Sequence, residues 1–120
     1  MLGFSTVKVS GSSMSPTFMP GDWLLIKEIK SSSHPQKLHS VYLINDPERP
    51  GIKLLKRIIS IEMNEAEGGE IVGKNAQFRY WMEGDHPSST DSRKWGWLNQ
   101  DQIIGKVVIR YRRGRSNNNK

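Results

Sequence analysis

The chain contains no cysteine among its 120 residues. Disulfide bonds and thiolate metal sites are therefore excluded, although this absence does not fix the compartment in which the protein works. Long apolar runs are missing too, since none approaches the ~20 residues that cross a bilayer. The first residues also lack the apolar core of a secretory signal. Together these absences predict a chain without a transmembrane segment, which we expect in the cytoplasm.

Acidic residues are outnumbered by basic ones, 12 against 18, which gives a net charge of +6. Five basic residues and no acidic residue lie from Arg110 onward. The rest of the chain therefore has a net charge of only +1. We therefore interpret residues 112–120 as a basic, asparagine-rich flexible tail. Because the excess charge is concentrated at this terminus, we expect no nucleic-acid partner.

Helical periodicity with start and stop signals is absent as well, whereas short strand-like runs are frequent. Turn residues separate runs that are rich in β-branched and aromatic residues. The predicted strands cover residues 5–10, 23–30, 38–45, 52–63, 70–73, 77–82 and 103–111. The pattern predicts an all-β fold in which residues 1–111 form a single compact barrel-like or folded-sheet domain.

Residues 11–22 form an irregular segment between the first two predicted strands. Pro16 and Pro20 each remove a backbone donor, and Gly11 and Gly21 allow backbone angles closed to other residues. The segment also contains several serine hydroxyls. A serine hydroxyl becomes a nucleophile only when a nearby base takes its proton. The loop therefore holds candidate nucleophiles, and the base has to come from elsewhere in the chain.

Histidine is the usual base, but His34 and His39 lie in no recognisable catalytic or metal-ligating pattern. The Gly-x-Ser-x-Gly and His-Glu-x-x-His spacings are both absent from the sequence, so we interpret these histidines as surface residues. A lysine can act as the base when burial disfavours its charged form. Lys56 is the best candidate, because alternation places it between Leu54 and Ile58 on an apolar strand face. The alternative is a lysine on an edge strand whose ammonium reaches solvent.

Three segments, in this order, resemble the sequence boxes of the type I signal peptidase superfamily, which uses a Ser/Lys dyad. Residues 11–22, with Gly-Ser-Ser-Met-Ser-Pro-Thr followed by Gly-Asp, resemble the first box. Residues 53–59, Lys-Leu-Leu-Lys-Arg-Ile-Ile, resemble the lysine box. Residues 83–96 resemble the third box, Gly-Asp-Asn…Ser-x-Asp-Ser-Arg…Gly, and residues 102–107 the closing strand. The resemblance extends over nearly the whole chain and implies the same all-β catalytic core.

This resemblance implies that Ser13 is the nucleophile and Lys56 the general base. It implies that the backbone N–H of Ser13 donates into an oxyanion hole and that the Ser89 hydroxyl helps to orient the lysine amine. It further implies that Met14 lines the pocket for the residue before the cut. Neither a metal nor a cofactor is expected.

The third box is also expected to support the site. Asp91 and Arg93 match a charged pair that braces it, and Gly84–Asp85 match the turn that leads into it. The chain departs from the family pattern at two positions. Gly11 stands where members often carry a serine as a second oxyanion donor, and His86 replaces the usual asparagine.

The small size and the expected absence of an anchor resemble most the nickel-type superoxide dismutase maturation proteases. These compact members are proposed to remove a short N-terminal extension from a precursor. We therefore predict a serine endopeptidase that binds its precursor as an extended peptide beside a strand, with small side chains near the cut. The oligomeric state is not indicated.

Three alternatives remain. The first is a signal peptidase that cleaves exported preproteins at the membrane. The second is a LexA-like self-cleaving regulator, which shares the dyad but would need a DNA-binding segment and lacks the Ser-x-Asp-Ser-Arg box. The third is a non-catalytic β-domain that binds peptides or anionic polymers.

Overall fold

The computed structural model describes residues 3–29, 35–64 and 77–114. Within these residues, seven strands form one antiparallel sheet. The strands are β1 (Phe4–Lys8), β2 (Trp23–Glu28), β3 (Val41–Asn45), β4 (Lys53–Asn64), β5 (Gln77–Glu83), β6 (Leu98–Asn99) and β7 (Ile103–Arg112). Their order in the sheet is β1-β2-β7-β3-β4-β5-β6. The sheet curls into a half-barrel, which confirms the predicted all-β fold.

The expectation that no segment is helical is wrong for the third box. Ser92–Trp95 form a short helix, α1, and Gln100–Gln102 form a 3₁₀ turn. The side chain of Asp91 caps α1 by accepting a hydrogen bond from the Arg93 N–H. A single turn is too short to show a repeating apolar pattern, and the local cap stabilises it instead.

Five of the seven predicted strands match observed strands to within two residues at either end. The strand predicted over residues 38–45 begins only at Val41, because residues 38–39 form a turn and Leu38 is exposed. The strand predicted over residues 70–73 lies outside the described residues. The short strand β6 was not predicted, since two residues are too few to show alternation.

Two apolar clusters pack on opposite faces of β3. The first contains Val9, Met14, Leu24, Ile26, Val41, Leu43 and Leu55. The second contains Tyr42, Ile44, Ile58, Tyr80, Met82, Leu98 and Ile103. Successive side chains of a strand point to opposite faces, so β3 contributes alternate residues to each cluster. This burial on both faces explains why Val41–Ile44 form a continuous apolar run rather than an alternating one.

The centre of β4 is buried on both faces. Lys56 and Ile58 are buried as alternation predicts, Leu54 is half-buried and Ile52 is exposed. Leu55, which faces the other way, is buried too. Because β4 lies between β3 and β5, the alternative of a lysine on an edge strand is wrong.

Strand β7 lies between β2 and β3 and includes Arg110 and Arg112, two of the basic residues near the end of the sequence. Arg110 contacts Asp22 at 3.3 Å, and the Gly114 N–H donates to Asp22 at 2.7 Å. These contacts hold the chain against the sheet as far as Gly114, whereas residues 115–120 lie outside the described residues. In the part of the chain that the structure describes, no helix has the length and apolarity needed to span a bilayer.

Candidate active site

The serine-rich loop between β1 and β2 is closed at its base by Val9 and Asp22. The Val9 N–H donates to the Asp22 carbonyl at 2.8 Å, and the Gly21 N–H donates to the Val9 carbonyl at 2.7 Å. The Asp22 carboxylate also accepts from the Met19 N–H at 2.9 Å. Gly21 has φ of 93°, which is readily accessible only to glycine. The loop is therefore fixed at its base by the Gly-Asp pair that ends the first box.

Met14 anchors the loop to the protein interior. It is 1% exposed and packs in the first apolar cluster, whereas its neighbour Ser13 is only half-buried. Burying a methionine side chain contributes about 1.5–3 kcal/mol, enough to hold this part of the loop down on the sheet. Ser13 is thereby kept at the surface of the core.

Lys56 is among the most buried side chains of the protein, with 2% of its surface exposed. It lies on β4 opposite Tyr42 of β3. Burial lowers the pKa of the Lys56 amine and outweighs the nearby Asp91 and Asp46 carboxylates, which raise it, while Arg93 lowers it further. No described residue accepts a hydrogen bond from Nζ. Burial thus shifts the equilibrium of Lys56 toward the neutral amine, the form that can accept a proton.

Ser13 and Lys56 line the same cavity, of about 420 Å³, which we call the lysine cavity. Its other lining residues are Gly11, Ser12, Asp46, Glu48, Arg49, Leu54, Thr90, Lys94 and Trp95. A second cavity, of about 510 Å³, is lined by residues of β1 and by Met14, among others, and we call it the β1 cavity. Ser13 lines both cavities, so it lies where the two meet.

Asp91 and Arg93 form an ion pair beside α1. Arg93 donates from Nε at 2.9 Å and from Nη2 at 2.6 Å to the carboxylate, which is fully buried. The Ser89 hydroxyl donates to Asp91 at 2.7 Å, and the Gly84 N–H donates to it at 2.9 Å. Burial would raise the pKa of Asp91, but these hydrogen bonds outweigh it and hold the pKa well below its usual range. Ser89 makes no hydrogen bond with Lys56 among the described residues.

Asp85 is bound by Arg57, the residue that follows Lys56. Arg57 donates from Nε at 2.9 Å and from Nη2 at 2.7 Å to the two carboxylate oxygens. These bonds are the main reason why the pKa of Asp85 is lowered. Thr17 also donates to Asp85, and Arg57 donates to the His39 carbonyl at 2.7 Å. Asp85 therefore joins the serine loop, β4 and the third box.

The turn at the start of the third box touches Ser13 directly. The His86 N–H donates to the Ser13 carbonyl at 2.9 Å. A Cβ atom on Gly84 would lie 2.5 Å from the same carbonyl oxygen and would also clash with the Ser89 side chain. Only glycine allows the two segments to approach so closely. These contacts place the third box against the backbone of the serine loop.

Sequence reasoning missed several residues of the site. Arg57 and Thr17 were given no role, and neither was the backbone N–H of His86. Asp46 and Trp95, which line the lysine cavity, were not anticipated either. Two of these residues could have been found from their positions in the sequence, since Arg57 directly follows Lys56 and Asp46 directly follows β3. Among the described residues, no group of three or more His, Asp or Glu side chains could hold a metal ion.

Comparisons with known proteins identify the family of the chain. The family model described as "Signal peptidase, peptidase S26" matches residues 1–77 and 62–112. The chain is similar to a protein of Synechocystis sp. named "Probable signal peptidase I-1", with 25% identity over 134 residues. That match covers 86% of this chain and 68% of the Synechocystis protein. Since the family model spans well over half of the chain, the protein belongs to the signal peptidase family, peptidase S26, and is a signal-peptidase-like serine protease.

Proposed function

We propose that the protein is a serine endopeptidase in which Ser13 attacks the scissile carbonyl and Lys56 accepts the hydroxyl proton. The observation that carries this proposal is the lysine cavity, which is lined by both a serine from the loop and a buried lysine from β4. The lowered pKa of Lys56 supports it, because only the neutral amine can act as a base.

The reaction follows from these roles. The neutral Lys56 amine takes the proton of the Ser13 hydroxyl as the oxygen attacks the carbonyl carbon. The Ser13 backbone N–H donates to the oxygen that becomes negative. When the tetrahedral intermediate collapses, Lys56 returns the proton to the leaving amine and an acyl-serine remains. Lys56 then takes a proton from the water that attacks this ester and gives it to the Ser13 oxygen as the acyl–oxygen bond breaks, which releases the carboxylic acid product and restores the free enzyme.

Asp91, Arg93 and Ser89 support the site without taking part in bond making. We propose that the Asp91–Arg93 pair fixes the third box beside the lysine cavity. We further propose that Ser89, held by Asp91 and Arg93, reorients toward the amine of Lys56 when substrate binds. Met14 lines the β1 cavity next to Ser13, which supports its role in the pocket for the residue before the cut.

The substrate that we propose is a precursor protein from which an N-terminal extension is removed. Its segment binds extended beside β1, because β1 is the terminal strand of the described sheet and borders a cavity that Ser13 also lines. The precursor of nickel-type superoxide dismutase is the candidate, on the sequence resemblance to the maturation proteases.

The second candidate is a signal peptidase that cleaves exported preproteins. It is favoured by the similarity to the Synechocystis protein, whose name describes such an enzyme. A self-cleaving regulator is disfavoured, because the third box, which that class lacks, contacts the Ser13 carbonyl here.

The test compares the two substrates directly. The purified protein is incubated with a nickel superoxide dismutase precursor and, separately, with a secreted preprotein in detergent micelles, and product termini are read by mass spectrometry. We expect a single cut in the dismutase precursor and none with Ser13→Ala. Cleavage of the preprotein alone would favour the second candidate, whereas equal cleavage by Ser13→Ala would remove the nucleophile assignment.

A further inference from the structure

The β1 cavity has an uneven charge distribution. Three of its lining residues are basic, namely Lys8, Arg49 and Lys53, and none is acidic. The remaining lining residues are apolar or small, and they include Met14, Leu43 and Leu55. The cavity therefore combines an apolar lining with basic side chains and has Ser13 on its wall.

Apart from Lys56, the charged residues of the neighbouring lysine cavity balance one another. Its two acidic residues, Asp46 and Glu48, are both paired with basic side chains. Asp46 binds Arg49 at 2.8 Å, and Glu48 binds Lys94 at 3.3 Å. The Asp46 pair also offsets the charge of Arg49 where that side chain reaches the β1 cavity. Two positive charges, those of Lys8 and Lys53, are thus left over in the β1 cavity.

Lys8 and Lys53 come from different parts of the sheet. Lys8 ends β1 and Lys53 begins β4, and the curl of the sheet brings both strands to the same cavity. Both side chains are exposed, and neither forms an ion pair with any residue that the structure describes. A segment lying in this cavity would therefore pass close to two cations whose charge is not locally matched.

We propose that the β1 cavity selects substrate segments that carry an aspartate or glutamate within a few residues of the scissile bond. This inference rests on the proposed function, because it makes Ser13 the point from which the segment extends. An extended chain advances ~3.3 Å per residue, so a side chain two or three residues from the cut reaches the wall of a cavity of this size. The apolar lining, which includes Met14, favours uncharged neighbours rather than a polyanion.

The selectivity should be moderate, because exposed ion pairs are screened by salt and compete with hydration. Two such pairs correspond to about a 3- to 10-fold preference in kcat/KM for an acidic over an isosteric neutral residue. The preference should shrink as the salt concentration rises. The apolar contacts should not change in this way.

The test uses internally quenched decapeptides that are rich in alanine, serine and valine. The peptides form three sets, in which one position carries Asp, Asn or Lys. Within each set this position is moved along the peptide, and the rest of the sequence stays the same. We expect the wild type to cleave the Asp peptides about 3- to 10-fold faster than the Asn peptides at one or two positions and the Lys peptides most slowly. In Lys8→Gln/Lys53→Gln the Asp and Asn peptides should be cleaved equally, and in Lys8→Glu/Lys53→Glu the Lys peptides should be preferred.

Lys27→Gln is the matched control, because Lys27 is an exposed lysine of β2 that lines neither cavity. It should leave the preference unchanged. If the wild type cleaves peptides without a charge preference, or if Lys8→Gln/Lys53→Gln keeps the preference, this inference is wrong while the peptidase assignment stands. If the wild type cleaves no peptide faster than Ser13→Ala does, both the inference and the proposed function are wrong.

Discussion

The backbone N–H of His86 donates a 2.9 Å hydrogen bond to the carbonyl oxygen of Ser13. This bond joins the third box to the residue proposed as the nucleophile, through main-chain atoms alone. The close approach is possible because Gly84, two residues earlier, has no side chain to occupy the space. The position of the serine loop is therefore set by a turn about 70 residues further along the chain, as the separation of residues 13 and 86 shows.

Gly84→Ala should reduce activity because the new methyl group would lie 2.5 Å from the Ser13 carbonyl oxygen. We expect kcat to fall about 100-fold, since a misplacement of about 1 Å has this effect in active sites. Overpacking should also lower stability by ~1–3 kcal/mol, so kcat is measured well below the melting temperature. Gly11→Ala is the control, because a Cβ there meets no atom within 4 Å. Wild-type kcat in folded Gly84→Ala would refute the positioning role.

Asp91→Asn should destabilise the protein at neutral pH. The change weakens the ion pair with Arg93 and turns one acceptor that serves Ser89 and Gly84 into an amide donor. We expect a loss of about 2 kcal/mol or more, which corresponds to a melting temperature lower by roughly 5–10 °C. Asp101→Asn is the control, since Asp101 is exposed. An unchanged melting temperature for Asp91→Asn would contradict the bracing role.

The difference in stability between the wild type and Asp91→Asn should become smaller at low pH. The pKa of Asp91 in the folded protein lies below the ordinary value of 3.8, so its ionised form is favoured by folding. Its contribution is complete above pH ~4 and is lost as the pH falls toward the folded-state pKa. Urea unfolding at pH 7 and at pH 3 should therefore show a smaller gap between wild type and Asp91→Asn at the lower pH.

The fold was largely predictable because strands leave local signals. Alternation and β-branched residues located β2, β4 and β7, and the apolar neighbours of Lys56 indicated its burial. Contacts between distant main-chain atoms leave no such signal, so the bond from His86 to Ser13 could not be read from residue types. The sequence around Arg57 likewise does not indicate its partner, and only the structure shows that its guanidinium binds Asp85.

The role of Lys56 can be tested by the pH dependence of kcat/KM. Burial lowers the pKa of Lys56 below its ordinary value of 10.5, so the neutral, basic form appears at lower pH than in a free lysine. Activity should rise as pH increases through this lowered pKa and then level off. Lys56→Met should reduce kcat at least ~1,000-fold at every pH, while Lys27→Met keeps the wild-type profile. A flat wild-type profile between pH 6 and 9, with activity retained in Lys56→Met, would exclude Lys56 as the base.

Lys56→Met should lower kcat but should keep or raise the stability of the protein. Since the folded-state pKa of Lys56 is lower than the unfolded one, burying the protonated amine costs free energy below the folded-state pKa. This cost disappears as the pH rises from the folded-state pKa toward 10.5. Replacing a buried charge by an apolar side chain of similar shape is often neutral or stabilising. Lys56→Met should therefore unfold at an equal or higher urea concentration than the wild type near neutral pH, with the gap closing at high pH.

Gly11→Ser should increase activity. Gly11 lines both cavities beside Ser13, and a Cβ placed on it meets no atom within 4 Å, so a serine fits without moving the loop. A hydroxyl here can supply the second oxyanion donor that many family members carry. Removing such a donor from other enzymes costs ~100- to 1,000-fold in kcat, and we expect adding one to raise kcat roughly 10-fold, since the site is not built around it. Gly11→Ala separates the hydroxyl from the effect of stiffening the backbone. If both variants change kcat equally, the hydroxyl is not acting on the oxyanion, and if Gly11→Ser lowers kcat, the oxyanion lies on another side of Ser13.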